Sequence, residues 1–286
     1  MNAHKNIVAF ISLSFIIFGI IAGIDACSKM NHNKTAEENE QYIALKYRIK
    51  NSKEYVTYYR LGGGEQAEYI RREKIYDSNG LRTKEIVHSP EDSSIENITL
   101  HTYDSFGNLV FRKAVKTDSS SLFSEKRIYD KNNNKTESYF YNADGSVLYH
   151  KTFVYDKEGR LLKSQIVHDG QLKSKYTYEY NGMNMTESDD FDSTGKFLSK
   201  WLYNYDAHDN QIEAVQYNSK NILQQKTTSE YNSMDFKTKE TNYFGTELRD
   251  FFIYEYNWKN LLSVRTEYAS NSKITAKYRY KYEFYK

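Results

Sequence analysis

The 286-residue chain sets 40 basic against 38 acidic residues, and a net charge of +2 with no block of one sign excludes the footprint of a duplex-DNA binder. Tyr alone accounts for 28 residues and aromatics for 16%, which argues against a chain disordered throughout, because disordered chains are aromatic-poor. At a mean hydropathy of −0.82 the tyrosines are the expected source of buried area, each ring hiding roughly 150–250 Å² while keeping a polar handle.

The N-terminus reads as an address. Lys5 precedes an uncharged apolar run, Ile7 to Ile24, long for a signal segment and just long enough to span a bilayer. After it comes Ile24-Asp25-Ala26-Cys27, which resembles a bacterial lipobox and implies cleavage before Cys27 and lipidation of its thiol. An uncleaved signal anchor is the other reading, and both export the remainder. Cys27 is the only cysteine, so no internal disulfide exists. Residues 1–26 are therefore expected to be a lipoprotein signal peptide. Residues 27–40, polar and aperiodic, read as a flexible tether, and 41–286 as one Tyr-rich repeat domain.

Within that domain an aromatic followed by Asp or Asn recurs at Tyr76, Tyr103, Tyr129, Tyr141, Tyr155, Tyr180, Phe191, Tyr205, Tyr217, Tyr231 and Tyr256. The steps are near 13 residues or twice that. Asp77-Ser-Asn-Gly80, Asp104-Ser-Phe-Gly107, Asp156-Lys-Glu-Gly159 and Asp192-Ser-Thr-Gly195 carry turn chemistry: Asp accepts from the backbone two residues on, and Gly supplies a positive φ. Asn133, Asn221 and Asn260 take the Gly slot or its neighbour elsewhere. Strands joined by such short turns must be antiparallel neighbours. Alternation is direct in Tyr176-Thr-Tyr178-Glu-Tyr180 and in Tyr278-Arg-Tyr280-Lys-Tyr282. No segment after Ile24 shows helical periodicity. The expectation is an all-β antiparallel meander forming a single twisted or coiled sheet, in part wrapped. Apolar residues before the early turns (Ile75, Ile128, Phe140, Val154) predict early strands covered on both faces, and polar ones (Glu179, Asn204, Glu230, Glu255) later strands covered on one.

Tyr103-Asp-Ser-Phe-Gly-Asn-Leu109 and Tyr155-Asp-Lys-Glu-Gly-Arg-Leu161 resemble the YD repeat of Rhs-type proteins. The resemblance implies a spiralling antiparallel sheet, which in large members wraps a toxin domain, and a loosely attributed carbohydrate-binding role. Repeat-like strand sequence continuing to Lys286 departs from those members.

No chemistry-bearing motif emerges. The seven histidines are scattered, with no metal-ligand spacing, and the Asp190-to-Trp201 stretch lacks the acidic twelfth ligand of a calcium loop. Gly62-Gly63-Gly64 lacks the Lys-Ser/Thr of a phosphate loop. An outer-membrane strand reading of Lys277–Lys286 is disfavoured by an all-Tyr outward face. The expected protein is a non-enzymatic cell-envelope lipoprotein without cofactor or metal, held at the membrane through its lipid. Its sheet would serve as a binding or adhesion surface for a glycan or another envelope protein, with no nucleic-acid partner. The alternative is a structural spacer. The candidate residues are Cys27 for lipidation, and Trp201, Trp258, Tyr278, Tyr280 and Tyr282 for ligand.

Overall fold

The computed structural model describes residues 36–60 and 64–286, so the signal segment, Cys27 and residues 28–35 lie outside it. It contains one helix, α1 (Ala36–Lys46), followed by β1 (Ile49–Tyr58), β2 (Tyr69–Tyr76), β3 (Arg82–His88), β4 (Ile95–Tyr103), β5 (Leu109–Val115), β6 (Ser121–Tyr129), β7 (Lys135–Tyr141), β8 (Val147–Tyr155) and β9 (Leu161–His168). There follow β10 (Gln171–Asn181), β11 (Asn184–Asp192), β12 (Phe197–Tyr205), β13 (Gln211–Asn218), β14 (Leu223–Tyr231), β15 (Lys237–Phe244), β16 (Glu247–Tyr256), β17 (Leu262–Ala269) and β18 (Ile274–Phe284).

Every strand pairs antiparallel with its chain neighbours, as the short turns require. The expectation of a single open or coiled sheet is overturned by one further ladder: β1 pairs with β18 from Ile49↔Phe284 to Tyr58↔Ala276. Because β1 also pairs with β2, the 18 strands close into an up-and-down barrel.

The turns explain the curvature. Asp77 Oδ1 accepts the Asn79 and Leu81 N–H groups, both at 2.9 Å, and Gly80 sits at φ +75°. Ile75 pairs with Lys84 but Tyr76 with Arg82, so one extra residue bulges from the outgoing strand. The same shift recurs at Tyr103, Tyr129, Tyr155, Tyr205, Tyr231 and Tyr256. A turn ending in a left-handed residue and a bulge increases local twist, and repetition around the sheet bends it toward closure.

Helix α1 lies inside one mouth. Its Glu37 reaches Arg127 on β6, while one apolar cluster joins its Ile43 and Ala44 to Tyr254 on β16 and Leu262 on β17. Those strands are eight steps apart, about 38 Å along the wall at ~4.8 Å per step. An 11-residue helix, about 16 Å long, spans them only from within. Residues 36–40, read from sequence as the end of a tether, are thus helical and docked, with Asn39 and Glu40 buried.

Paired residues share a face, and the rows containing Tyr76, Tyr103, Arg127, Tyr254 and Tyr280 face inward. The outer rows hold cross-strand ion pairs, Lys226–Glu213 at 2.6 Å and Lys239–Glu230 at 3.2 Å among them. The early strands are not covered on their outer side: Ile128 is 37% and Val154 51% exposed. Away from α1 both faces of β11 are half-exposed along its whole length, which describes a wall wet on both sides. An 18-strand circumference is wide enough for an aqueous interior.

Two glycine substitutions separate turn strain from helix docking. A Cβ on Gly80 would lie 2.6 Å from both the Gln41 carbonyl oxygen and the Leu45 amide nitrogen, whereas one on Gly145, also at positive φ, meets nothing within 4 Å. Gly145→Ala is expected to cost about 1–2 kcal/mol, the left-handed penalty alone. Gly80→Ala adds steric displacement and is expected to cost about 3 kcal/mol or more. Urea unfolding of the two variants checks the ordering.

Candidate ligand site in the helix-filled mouth

Every second strand carries a tyrosine at or within two residues of its end at this mouth: Tyr76, Tyr103, Tyr129, Tyr155, Tyr180, Tyr205, Tyr231, Tyr256 and Tyr282. The pattern follows from the bulge, which leaves a carbonyl near the start of the preceding odd-numbered strand within reach of the phenol. Tyr103 donates to the Arg82 carbonyl at 2.9 Å, Tyr129 to Leu109 at 3.0 Å and Tyr205 to Met185 at 2.8 Å. Tyr231 donates to Gln211 at 3.0 Å, Tyr256 to Lys237 at 2.7 Å and Tyr282 to Leu262 at 2.9 Å. Each bond satisfies an end carbonyl and fixes a ring against the lumen. Tyr76 instead donates to Glu40 of α1 at 2.7 Å.

Helix and wall are joined by charge. Glu40 is buried against Lys74 and Arg82, each at 3.2 Å. Burial pushes its carboxyl pKa up, but the Lys74 and Arg82 charges outweigh burial and hold it below the usual carboxylate range. Glu37 meets Arg127 at 2.6 Å, and Arg127 in turn holds the buried Glu125 at 2.9 Å, which also accepts from Ser138. Here too burial opposes ionisation, yet Arg127 draws the Glu37 pKa down to about 2. These polar contacts explain why α1 escapes a hydrophobic-period reading: Glu37, Glu40 and Gln41 make its inward side as much as Ile43 and Ala44 do.

Beside the helix lies a cleft of about 470 Å³. Its aromatic wall is Tyr103, Tyr129, Tyr155 and Tyr180 with Phe106 and Phe153, and its cations are Arg82, Arg127, Lys135 and Arg160. Lys135 sits 4.7 Å above the Phe153 ring; burial, reinforced by Arg127, lowers its pKa to about 8. Arg160 lies over the Tyr180 ring and is tied to Asp156 at 2.6 Å. The Tyr155 hydroxyl has no hydrogen-bond partner among the described residues; burial, then the neighbouring Tyr129 and Asp130, raises its pKa, so it is a neutral phenol facing the cleft.

The residues singled out from sequence are dispersed. Cys27 lies outside the described residues. Trp258 is a turn tip, 87% exposed, with Lys259 5.0 Å from its ring. Trp201 lies in β12, stacked near Tyr203, on a row shared with Ser188 and Gln216. Tyr278 and Tyr280 are packed beneath Arg265 and Glu54, inside the wall, and Tyr282 belongs to the phenol row. Their inward direction reverses the face assigned to β18: outside are Lys277, Arg279 and Lys281. The cleft residues Tyr155, Lys135 and Arg160 were missed, although a signal existed. Every second turn is preceded by Tyr without exception, whereas the intervening positions vary, from Tyr141 and Phe191 to His88, Val115 and His168.

No family description matches this sequence, and a search of curated proteins returns no match. Among solved structures the chain is similar to a porin-like protein from Bacteroides uniformis, at 11% identity over 82% of this chain and 98% of that one, with TM-score 0.44. It is similar to a porin-like protein from Bacteroides vulgatus, at 12% identity over 67% and 95%, with TM-score 0.39. It also resembles part of a Photorhabdus luminescens Tc holotoxin pore, at 14% identity over 74% of this chain but 13% of that one, with TM-score 0.33. Likenesses this distant assign the chain no activity.

The ion pairs give the helix a pH signature. The folded pKa of Glu37 and of Glu40 is depressed, so their contribution to docking is complete above the unfolded carboxylate value of about 4.5 and is lost as pH falls through the lowered values, about 2 for Glu37. Amide exchange of residues 36–46, corrected for intrinsic rate, should be flat from pH 7 to 5 and accelerate below 4.5. Glu40→Ala, which leaves Lys74 and Arg82 facing each other, should cost about 3–5 kcal/mol in urea unfolding.

Proposed function

We propose that this chain is a non-enzymatic, lipid-anchored protein of the bacterial cell envelope that binds a carbohydrate segment in the mouth of its barrel. The observation that carries the reading is the cleft itself: four tyrosines on alternate strands, with the Tyr155 hydroxyl unpartnered among the described residues. Aromatic faces accept the C–H faces of a sugar, while Tyr155, Lys135 and Arg160 suit its hydroxyls. The tyrosines line the interior, so the binding surface is internal and not an outward adhesive sheet.

The electrostatics favour binding over catalysis. Glycoside hydrolysis needs a carboxyl whose pKa is raised enough to donate a proton near neutrality. Glu37 and Glu40, the carboxylates held by cations at the cleft, are shifted the opposite way. The charged outer rows also differ from the apolar band of a lipid-facing barrel, where each central Arg or Lys costs about 2–4 kcal/mol. The Asp-x-x-Gly turns with their bulges support reading the units as YD-type repeats. The rival reading is a spacer whose tyrosines only brace the wall; the six phenols donating to strand carbonyls favour it.

A glycan screen with the full chain separates the two. Binding to defined oligosaccharides, weakened about tenfold by Tyr155→Phe with thermal stability unchanged, is expected for the ligand site. Uniform absence of binding across cell-wall and capsular glycans would leave the spacer.

A further inference from the structure

The two mouths of the barrel differ in a way that the fold does not require and the cleft explains only at Phe106 and Met183, which also line it. At the α1 mouth, Phe106, Met183, Met234 and Trp258 occupy the exposed tips of four turns, Phe106 at 78% and Trp258 at 87% exposure. Leu45 of α1 is exposed at the same mouth, Lys259 shares the tip of Trp258, and Lys131 and Lys157 stand at other tips of this rim, Lys157 beside Glu158. The tips at the opposite mouth are polar, with Glu91-Asp92, Asp118, Asp144 and Asp169 set against Lys220. Lys196 and Lys273 stand beside tips there, and exposed apolar side chains of that end, Ile222 and Phe244 among them, flank the tips without occupying them. The turn geometry is common to both ends: Asp104 and Asp192 accept the same pair of backbone N–H groups at the near and far mouths. Local structure therefore does not demand large apolar tips on one rim only.

We propose that the α1-side rim rests on the surface of a lipid bilayer, its apolar tips inserted at headgroup depth and its lysines meeting anionic lipid. Three observations fix the occupant. The four apolar tips are spread around the ring, between β4 and β5, β10 and β11, β14 and β15, and β16 and β17, which suits a plane and not a peptide in a groove. Trp and Lys together are the side chains of a membrane interface, one end apolar and the other wet. The chain also enters the barrel at this mouth: Ala36 begins α1, and Cys27 lies nine residues before it. Nine residues reach about 30 Å fully extended and about 17 Å as a coil, so a lipid on Cys27 holds this rim, not the far one, against the bilayer. The inference rests on the membrane-tether part of the proposed function, and it turns the mouth of the cleft toward the membrane.

The test uses the full chain in vesicles of phosphatidylcholine and phosphatidylglycerol, with Trp201→Phe leaving Trp258 as the only indole. Lipids brominated near the headgroup should quench Trp258 at least twofold, and vesicle attachment should cut its quenching by aqueous iodide at least twofold. A second protein carries Trp201→Phe, Trp258→Phe and Lys220→Trp, which moves the indole to the far mouth; bromolipid should leave it untouched and iodide reach it freely. Trp258 open to iodide and untouched by bromolipid would overturn the proposal, as would equal bromolipid quenching at both mouths. The mass of the N-terminus, read on the same samples, reports the anchor separately. Acylated Cys27 with unquenched Trp258 sinks the docking surface alone. Retained Met1 sinks lipidation alone, because the apolar segment 7–24 then holds the chain at the bilayer and the two Trp readings still decide.

Discussion

The ladder between β1 and β18 is the contact on which the rest of the structure depends. Without it the strands form a ribbon with two unpaired edges, each a row of free N–H and C=O groups. With it there is an inside and an outside, and the alternation along every strand acquires a meaning. Tyr278, Tyr280 and Tyr282 face the lumen because Val56, Glu54 and Ser52 of β1 lie beside them on the same face. Lys277 and Lys281 face out beside Thr57 and Lys53 for the same reason. The ladder also seats α1, since only a closed wall offers strands β2, β6 and β16 to one short helix.

Closure has a local cause and a chain-wide one. Locally, each Tyr-Asp-x-x-Gly unit ends in a left-handed residue and a bulge, and at six of these mouth tyrosines, Tyr103 and Tyr129 among them, the phenol before the turn bonds back to a strand-start carbonyl. One side chain thereby satisfies the backbone, fixes the bend and lines the lumen. Across the chain, the even number of strands lets β1 and β18 meet antiparallel, and cross-strand pairs of roughly 0.2–1 kcal/mol each accumulate around a ring with no weak edge. The interior is finished with charge where α1 enters, Glu37 and Glu40 answering Arg127, Lys74 and Arg82. Half-exposed polar side chains line it elsewhere.

Much of the wall was legible in the sequence: turn chemistry at Asp77, Asp104, Asp156 and Asp192, strand direction from turn length, and alternation in Tyr176–Tyr180 and Tyr278–Tyr282. Closure was not, because it pairs residues more than 200 positions apart and β1, Ile49–Tyr58, carries no turn unit of its own to reveal its partner. The direction of each face was also hidden. Ile128 and Val154 read as buried because they are apolar, yet they sit on the wet outer side, while the inner rows are Tyr, Arg and Glu. Helix α1 was invisible to hydrophobic period because its docking face is half ionic. The cleft at Tyr155 needed the two-strand period, which becomes meaningful once alternate turns are known to share a rim.

The closing ladder is open to a direct measurement. In a Cys27→Ser background, paired cysteines at Thr57 and Lys277 occupy registered partners of β1 and β18, whereas cysteines at Lys53 and Lys277 lie four residues out of register on β1. A closed barrel predicts rapid, near-complete intramolecular disulfide formation for the first pair under mild oxidation and little for the second. Failure of both pairs to cross-link in a folded protein would mean that β1 and β18 are free edges, and the barrel account would be wrong.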